Sequence, residues 1–165
     1  MRDLKRCLLL LDLQNEFVSA AGNFPTDAVC QQALLENVGK ATQAFRDSGD
    51  AMVWVLGNVV EAPPSPTFRS STAAVARPGC HENVVFRFTD TTLRDDLTAE
   101  NITDVYVGGL LTNVCVCTTA EVAHAPGFTV MVLDDCLGWR KYKSHQTALR
   151  CMREAGFELR HGVRH

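Results

Sequence analysis

Short apolar runs alternate with amphipathic stretches along this chain. Arg6-Cys7-Leu8-Leu9-Leu10-Leu11-Asp12 is apolar between its charged ends, the pattern of a parallel strand buried on both faces. From Asp27 to Ser48 the pattern predicts a long helix that stops at Gly49, and Ala51 to Gly57 reads as a second buried strand. Val59 to Cys80 holds four prolines among many Ser, Thr and Ala residues, so a loop is predicted there. A third strand is expected at Asn83-Val84-Val85-Phe86-Arg87, a short helix over Thr92 to Leu97, and a fourth strand from Asp104 to Gly108. Phe128 to Leu133, a helix from about Ser144 to Ala155, and a brief edge strand at Phe157-Glu158-Leu159 complete the series. Strands alternating with helices predict a three-layer α/β sandwich around a six-stranded, mostly parallel sheet, in the order 3-2-1-4-5-6, with right-handed crossovers. No internal repeat or linker interrupts it, so residues 1–165 are expected to form one domain.

Composition narrows the function classes. The 165 residues are 46% hydrophobic and 21% charged, enough for one sizeable core. A net charge of −3, with both signs scattered, offers no basic stripe, so neither nucleic acid nor a membrane surface is an expected partner. No apolar run is long enough to span a bilayer, and Met1 to Arg6 is not a signal peptide, so a cytoplasmic location is expected. Seven cysteines, several inside apolar runs, do not read as a disulfide framework. Cys115-Val116-Cys117 lacks zinc-knuckle spacing, and no histidine pair has metal-ligand spacing beside an acid. No bound metal and no cofactor are expected.

The chemistry concentrates near Cys115. An apolar strand empties through Gly108-Gly109 into Leu110-Leu111-Thr112-Asn113-Val114-Cys115, where Thr112 can cap a helix and Cys115 falls in its first turn. Orphan N–H groups and the helix dipole there predict a thiol that ionises more easily than a free one. The position also fits a small buried hydrophobe. Ligands of open α/β sheets bind beyond the carboxyl ends of the strands, where strand order reverses. Asp12, Arg87 and Cys115 all stand at such ends, and in the expected order Asp12 and Cys115 face one crevice. Asp12 can also be read as a strand-end turn residue, and Arg87 as a charge reaching out to solvent.

Leu10-Leu11-Asp12-Leu13-Gln14-Asn15-Glu16-Phe17 resembles the Asp-x-Gln-Asn-x-Phe opening of the isochorismatase-like cysteine hydrolases. Gly109-Leu110-Leu111-Thr112-Asn113-Val114-Cys115-Val116-Cys117-Thr118-Thr119-Ala120, followed by Gly127-Phe128-Thr129-Val130 and Asp134-Asp135, is similar to that family's nucleophile helix and next strand. The resemblance implies a Rossmann-like six-stranded fold and an Asp-Lys-Cys triad that hydrolyses carbon–nitrogen bonds in small amides. It matches Asp12 to the acid/base, Cys115 to the nucleophile, and the backbone N–H groups of Leu111 and Cys115 to the oxyanion hole. Phe17 and Leu110 match the substrate pocket, and a non-proline cis peptide is implied around Leu110-Leu111. The partner implied is a small-molecule substrate, and relatives commonly form homodimers or larger homo-oligomers.

Two departures bear on function. Arg87 takes the place of the family lysine, and an arginine keeps its charge but will not share a proton. Nicotinamidases of the family carry an Asp-x-His arrangement after the second strand, where this chain has Leu56-Gly57-Asn58-Val59-Val60-Glu61, so nicotinamide is a poor substrate candidate. His124 and His145 read as helix-surface or packing residues, and Trp139-Arg140-Lys141 as a loop near the crevice mouth. Three functions stay open: amide hydrolysis through a Cys115 thioester, vinyl-ether hydrolysis of isochorismate with Asp12 as general acid, and a catalytically reduced relative that acts by binding.

Overall fold

The computed structural model describes residues 5–22, 24–55, 74–76, 92–125 and 127–163. Its centre is β1 (Lys5–Leu11), whose unbroken apolar run lies between β2 (Ala51–Val55) and β4 (Ile102–Gly109), parallel to both. β5 (Thr129–Leu137) pairs with β4, and β6 (Glu158–Arg160) with β5, again parallel. On the outer side of β2 lies β3 (Ala74–Ala76), which is antiparallel and three residues long.

This edge corrects the sequence expectation. The sequence predicts six mostly parallel strands in the order 3-2-1-4-5-6, with Asn83–Arg87 as the outer third member. The described parallel sheet has five members, ordered β2-β1-β4-β5-β6, and the flank of β2 is met by β3, from the stretch expected to be loop. Asn83–Arg87 lies outside the described residues. Three residues are too few to show periodicity among prolines and serines, and a short antiparallel edge commonly finishes a parallel sheet.

Helix α2 (Ala28–Ser48) covers one face of the sheet. Asp27 caps it by accepting a hydrogen bond from the Val29 N–H (2.9 Å), and Gly49 ends it in the left-handed conformation at φ 70°. Its buried stripe, Leu34, Val38, Ala41 and Phe45, packs on Leu8, Leu10, Met52, Tyr106 and Met131. Alternation along the same strands turns Cys7, Leu9, Leu11, Val53, Val105 and Val107 to the other face. There they meet α3 (Thr92–Ala99), α4 (Cys117–His124) and Met152 of α5 (Tyr142–Glu154). Each fully buried leucine contributes about 2 kcal/mol, so the run that makes β1 recognisable also anchors both layers.

Two details shape the carboxyl end of the sheet. A short helix α1 (Asn15–Val18), unsignalled by the sequence pattern, follows β1. The β4–β5 register slips between Val107↔Val132 and Gly109↔Leu137, which carries β5 past its expected end and moves Asp134 and Asp135 out of the regular ladder.

Candidate active site

β1 and β4 end side by side. Leu11 pairs with Gly109, and the Leu110 N–H donates to the Leu11 carbonyl at 2.9 Å. Asp12 then turns away from the sheet in the left-handed region at φ 53°, a conformation Asp tolerates better than most residues. Its N–H donates to the Val55 carbonyl (2.7 Å) and its own carbonyl accepts from the Gln14 N–H (2.8 Å). Asp12 is buried there, 8% exposed as a residue. The half-buried Cys115 thiol hydrogen-bonds to it. The two residues singled out in the sequence meet in space.

Cys115 is carried by a π-helical turn over Thr112–Val116, closed by Val116 N–H to the Leu111 carbonyl at 3.2 Å, from which α4 continues. The peptide between Leu110 and Leu111 is cis. Thr112 does not cap a helix as expected, because its hydroxyl donates sideways to the Gly138 carbonyl at 3.0 Å. Its own N–H goes to the same oxygen at 3.1 Å. Thus Gly138, just beyond β5, competes successfully for the groups that a regular helix start would have used. Single π-turns of this kind recur at functional sites.

The expected ease of ionisation is reversed. Burial and the adjacent Asp12 carboxylate push the Cys115 thiol up to about 12, while backbone hydrogen bonding from Leu111 and Cys115 pulls the other way. The N–H groups and dipole of a helix start favour the thiolate on their own. A carboxylate from β1 and a partly dry environment outweigh them. The resting state is therefore a neutral thiol donating to Asp12.

The remaining site residues fall out differently. Leu111 contributes backbone to the sulfur's surroundings. Phe17 lies on α1, partly buried, 6.5 Å from the ring of Phe24. Leu110 is fully buried in the cluster with Leu8, Leu10 and Leu34. Arg87 lies outside the described residues, as does the stretch compared with the nicotinamidase metal motif.

Two features escaped the sequence reading. His145, taken only for a surface or packing residue, is 5% exposed, and its Nδ1 lies 2.9 Å from the Thr112 hydroxyl. Asp134, Asp135 and His161 bring one ligand atom each within 4.8 Å of one another, the one group among the described residues that could hold a metal ion. In the structure His161 pairs with Asp134 (3.0 Å) and the Gly162 N–H donates to Asp135 (3.1 Å). The adjacent Asp134-Asp135 was visible in the sequence, but its proximity to His161 depends on the slipped end of β5 and its pairing with β6.

No helix among the described residues is long and apolar enough to cross a membrane. The isochorismatase domain matches residues 6–161. A streptothricin hydrolase of Streptomyces noursei is 31% identical over 140 residues, covering 79% of this chain and 48% of that protein. An uncharacterized isochorismatase family protein of Bacillus subtilis (strain 168), YddQ, is 25% identical over 141 residues, covering 78% of this chain and 74% of its own. The chain spans about half the length of the streptothricin hydrolases it matches. In three dimensions it is similar to the nicotinamidase SaPncA from Staphylococcus aureus, with a TM-score of 0.75 at 20% identity over 95% of this chain and 99% of that one, a likeness of fold. With the domain match running through β1, the Cys115 turn and β6, the chain belongs to the isochorismatase family.

Proposed function

We propose that this chain, acting as a single domain, hydrolyses the carbon–nitrogen bond of a small amide through a thioester on Cys115. The observation that carries this reading is the hydrogen bond between the Cys115 thiol and the Asp12 carboxylate, beside the N–H groups of Leu111 and Cys115. With the thiol at about 12, free thiolate is about five orders of magnitude rarer than thiol at pH 7. Proton transfer to Asp12 therefore accompanies attack on the carbonyl carbon. As the sulfur leaves its resting hydrogen bonds, the N–H groups of Leu111 and Cys115 stabilise the developing oxyanion.

Collapse of the tetrahedral adduct breaks the carbon–nitrogen bond, and Asp12 returns the proton to the departing amine. Asp12 next takes a proton from water as its oxygen attacks the thioester carbonyl. The acid product leaves, and Asp12 gives that proton back to sulfur. Arg87, at the family's lysine position in the sequence, supplies a fixed positive charge that favours the ionised forms of Asp12 and Cys115 without relaying a proton.

The test is turnover by the wild type, Cys115→Ala and Asp12→Asn on small primary amides, including nicotinamide and pyrazinamide. Streptothricin is added because a relative is named for hydrolysing it. The expected result is release of ammonia or amine by the wild type alone, with an acyl mass adduct on the Cys115 peptide. Amide hydrolysis surviving in Cys115→Ala overturns the reading.

A further inference from the structure

Thr112 is 0% exposed, and its hydroxyl meets two protein groups, the Gly138 carbonyl and His145 Nδ1. A hydroxyl has one hydrogen to give and two lone pairs to receive. The Gly138 carbonyl at 3.0 Å can only accept, so it takes the Thr112 hydrogen. His145 Nδ1, 2.9 Å from the same oxygen, must then carry its own hydrogen and donate. This fixes the imidazole tautomer from the partners alone. Burial also holds the His145 pKa below its ordinary value, against the opposing pull of Asp134, so the ring rests neutral.

The ring is fixed on its face as well. Trp139 stacks on it at 4.2 Å between centroids and 28° between planes, with Tyr142 at 5.9 Å. The loop carrying Trp139 is tied to the cysteine turn by Gly138 N–H to the Gly109 carbonyl at 3.0 Å and Thr112 N–H to the Gly138 carbonyl at 3.1 Å. The approach at Gly138 is close, since a Cβ there would stand 2.1 Å from Cδ2 of Leu110 and would force that side chain to shift. The chain from α5 through His145, Thr112 and Gly138 therefore ends on the residues that flank Cys115.

We infer that His145 is a positioning residue for Cys115: its Nδ1–H, through the Thr112 hydroxyl, holds the Thr112–Val116 turn so that the thiol stays against Asp12. The inference concerns the geometry of the thiol and stands whether or not the amide reading does. Loss of the donor frees the start of the turn. Cys115 then moves away from Asp12 into water, and both causes of its raised pKa weaken.

The probe is iodoacetamide at pH 8, with the alkylation rate of Cys115 read by peptide mass. The exposed Cys151 serves as the internal standard and Cys7, 0% exposed, as the reporter of intact folding. His145→Phe keeps a ring to stack on Trp139 but has no donor, and Thr112→Val removes the relay. Both are expected to alkylate Cys115 about ten-fold faster than wild type, the consequence of one unit of pKa. His145→Asn, whose amide can present an N–H near the Nδ1 position, is expected within about two-fold of wild type.

Wild-type labelling in His145→Phe or Thr112→Val, or equal acceleration in Asn and Phe variants, shows that the ring only fills space and overturns the inference. If Cys7 labels in His145→Phe, His145→Leu takes its place under the same criteria. Where an amide is turned over, kcat should fall in the Phe variant and recover in the Asn variant at unchanged KM. An inactive wild type that still shows the labelling pattern removes the amide reading and leaves this one intact.

Discussion

Gly109 lies so close to Leu11 that a Cβ on it would stand 2.1 Å from the Leu11 carbonyl oxygen and 2.6 Å from its nitrogen. Its φ of 116° is likewise open only to glycine without strain. This contact lets β4 end against β1 and delivers the cysteine turn to Asp12. Gly109→Ala should lose about 3 kcal/mol or more of stability in urea melts, together with faster alkylation of Cys115. A variant as stable as wild type, with Cys115 still slow to label, would mean that the two strand ends can part at little cost.

Asp12→Asn should separate two effects that usually travel together. The carboxylate raises the thiol pKa, so its removal should lower that pKa and increase iodoacetamide labelling of Cys115 at pH 8 by about ten-fold. Amide turnover should vanish in the same protein, because no group remains to carry the proton. Slower labelling in this variant would show that Asp12 does not hold the Cys115 proton.

Cys115→Ala divides the enzymatic readings. Thioester chemistry predicts loss of all amide hydrolysis, whereas vinyl-ether hydrolysis of isochorismate by Asp12 should persist within about ten-fold. Assaying both substrates on one preparation of this variant decides between them. A wild type active on neither leaves the binding role.

The charge assigned to Arg87 is open to a direct kinetic check. Arg87→Ala should reduce kcat on the amide by about a hundred-fold, the usual scale for one electrostatic contact to a reacting centre. Arg87→Lys, which restores the family's own residue, should retain activity. An Ala variant with undiminished kcat would remove Arg87 from the site.

Alkali should destabilise the fold through its buried thiols. Burial raises Cys7 and Cys136 well above the ordinary thiol range. Between the unfolded value near ~8.5 and the raised folded values, the unfolded chain binds fewer protons than the folded one. Stability is therefore fully present below pH ~8.5 and falls as pH rises, by about 1.4 kcal/mol per pH unit for each such thiol. Urea midpoints measured from pH 7.5 to 10.5 should decline beyond pH 9, and a flat profile would contradict the burial of these groups.

The order of residues by itself determined the framework. The leucine run of β1, the apolar stripe from Cys30 to Phe45 ending at Gly49, and the valine-rich β4 each carry their own periodicity, which is a local property. Asp12 and Cys115 were legible for the same reason: each follows such a run at the end where α/β sheets bind ligands.

Tertiary structure decided what those residues are chemically. Whether Cys115 ionises depends on burial and on a carboxylate delivered by another strand, and their sum reverses the local helix-start argument. Thr112 was read as a cap because its neighbours suit one, yet the Gly138 carbonyl, brought in by β5, takes its hydroxyl and leaves a π-turn. His145 lies on an amphipathic helix, and nothing local distinguishes it from an ordinary packing residue until α5 docks its ring on Thr112. β3, three residues long, is too short to announce itself and is recognisable as a strand by its pairing with β2. Periodicity records which side of an element is apolar, whereas proton affinity and hydrogen-bond partner are set by groups far apart in the chain that meet only after the layers have packed.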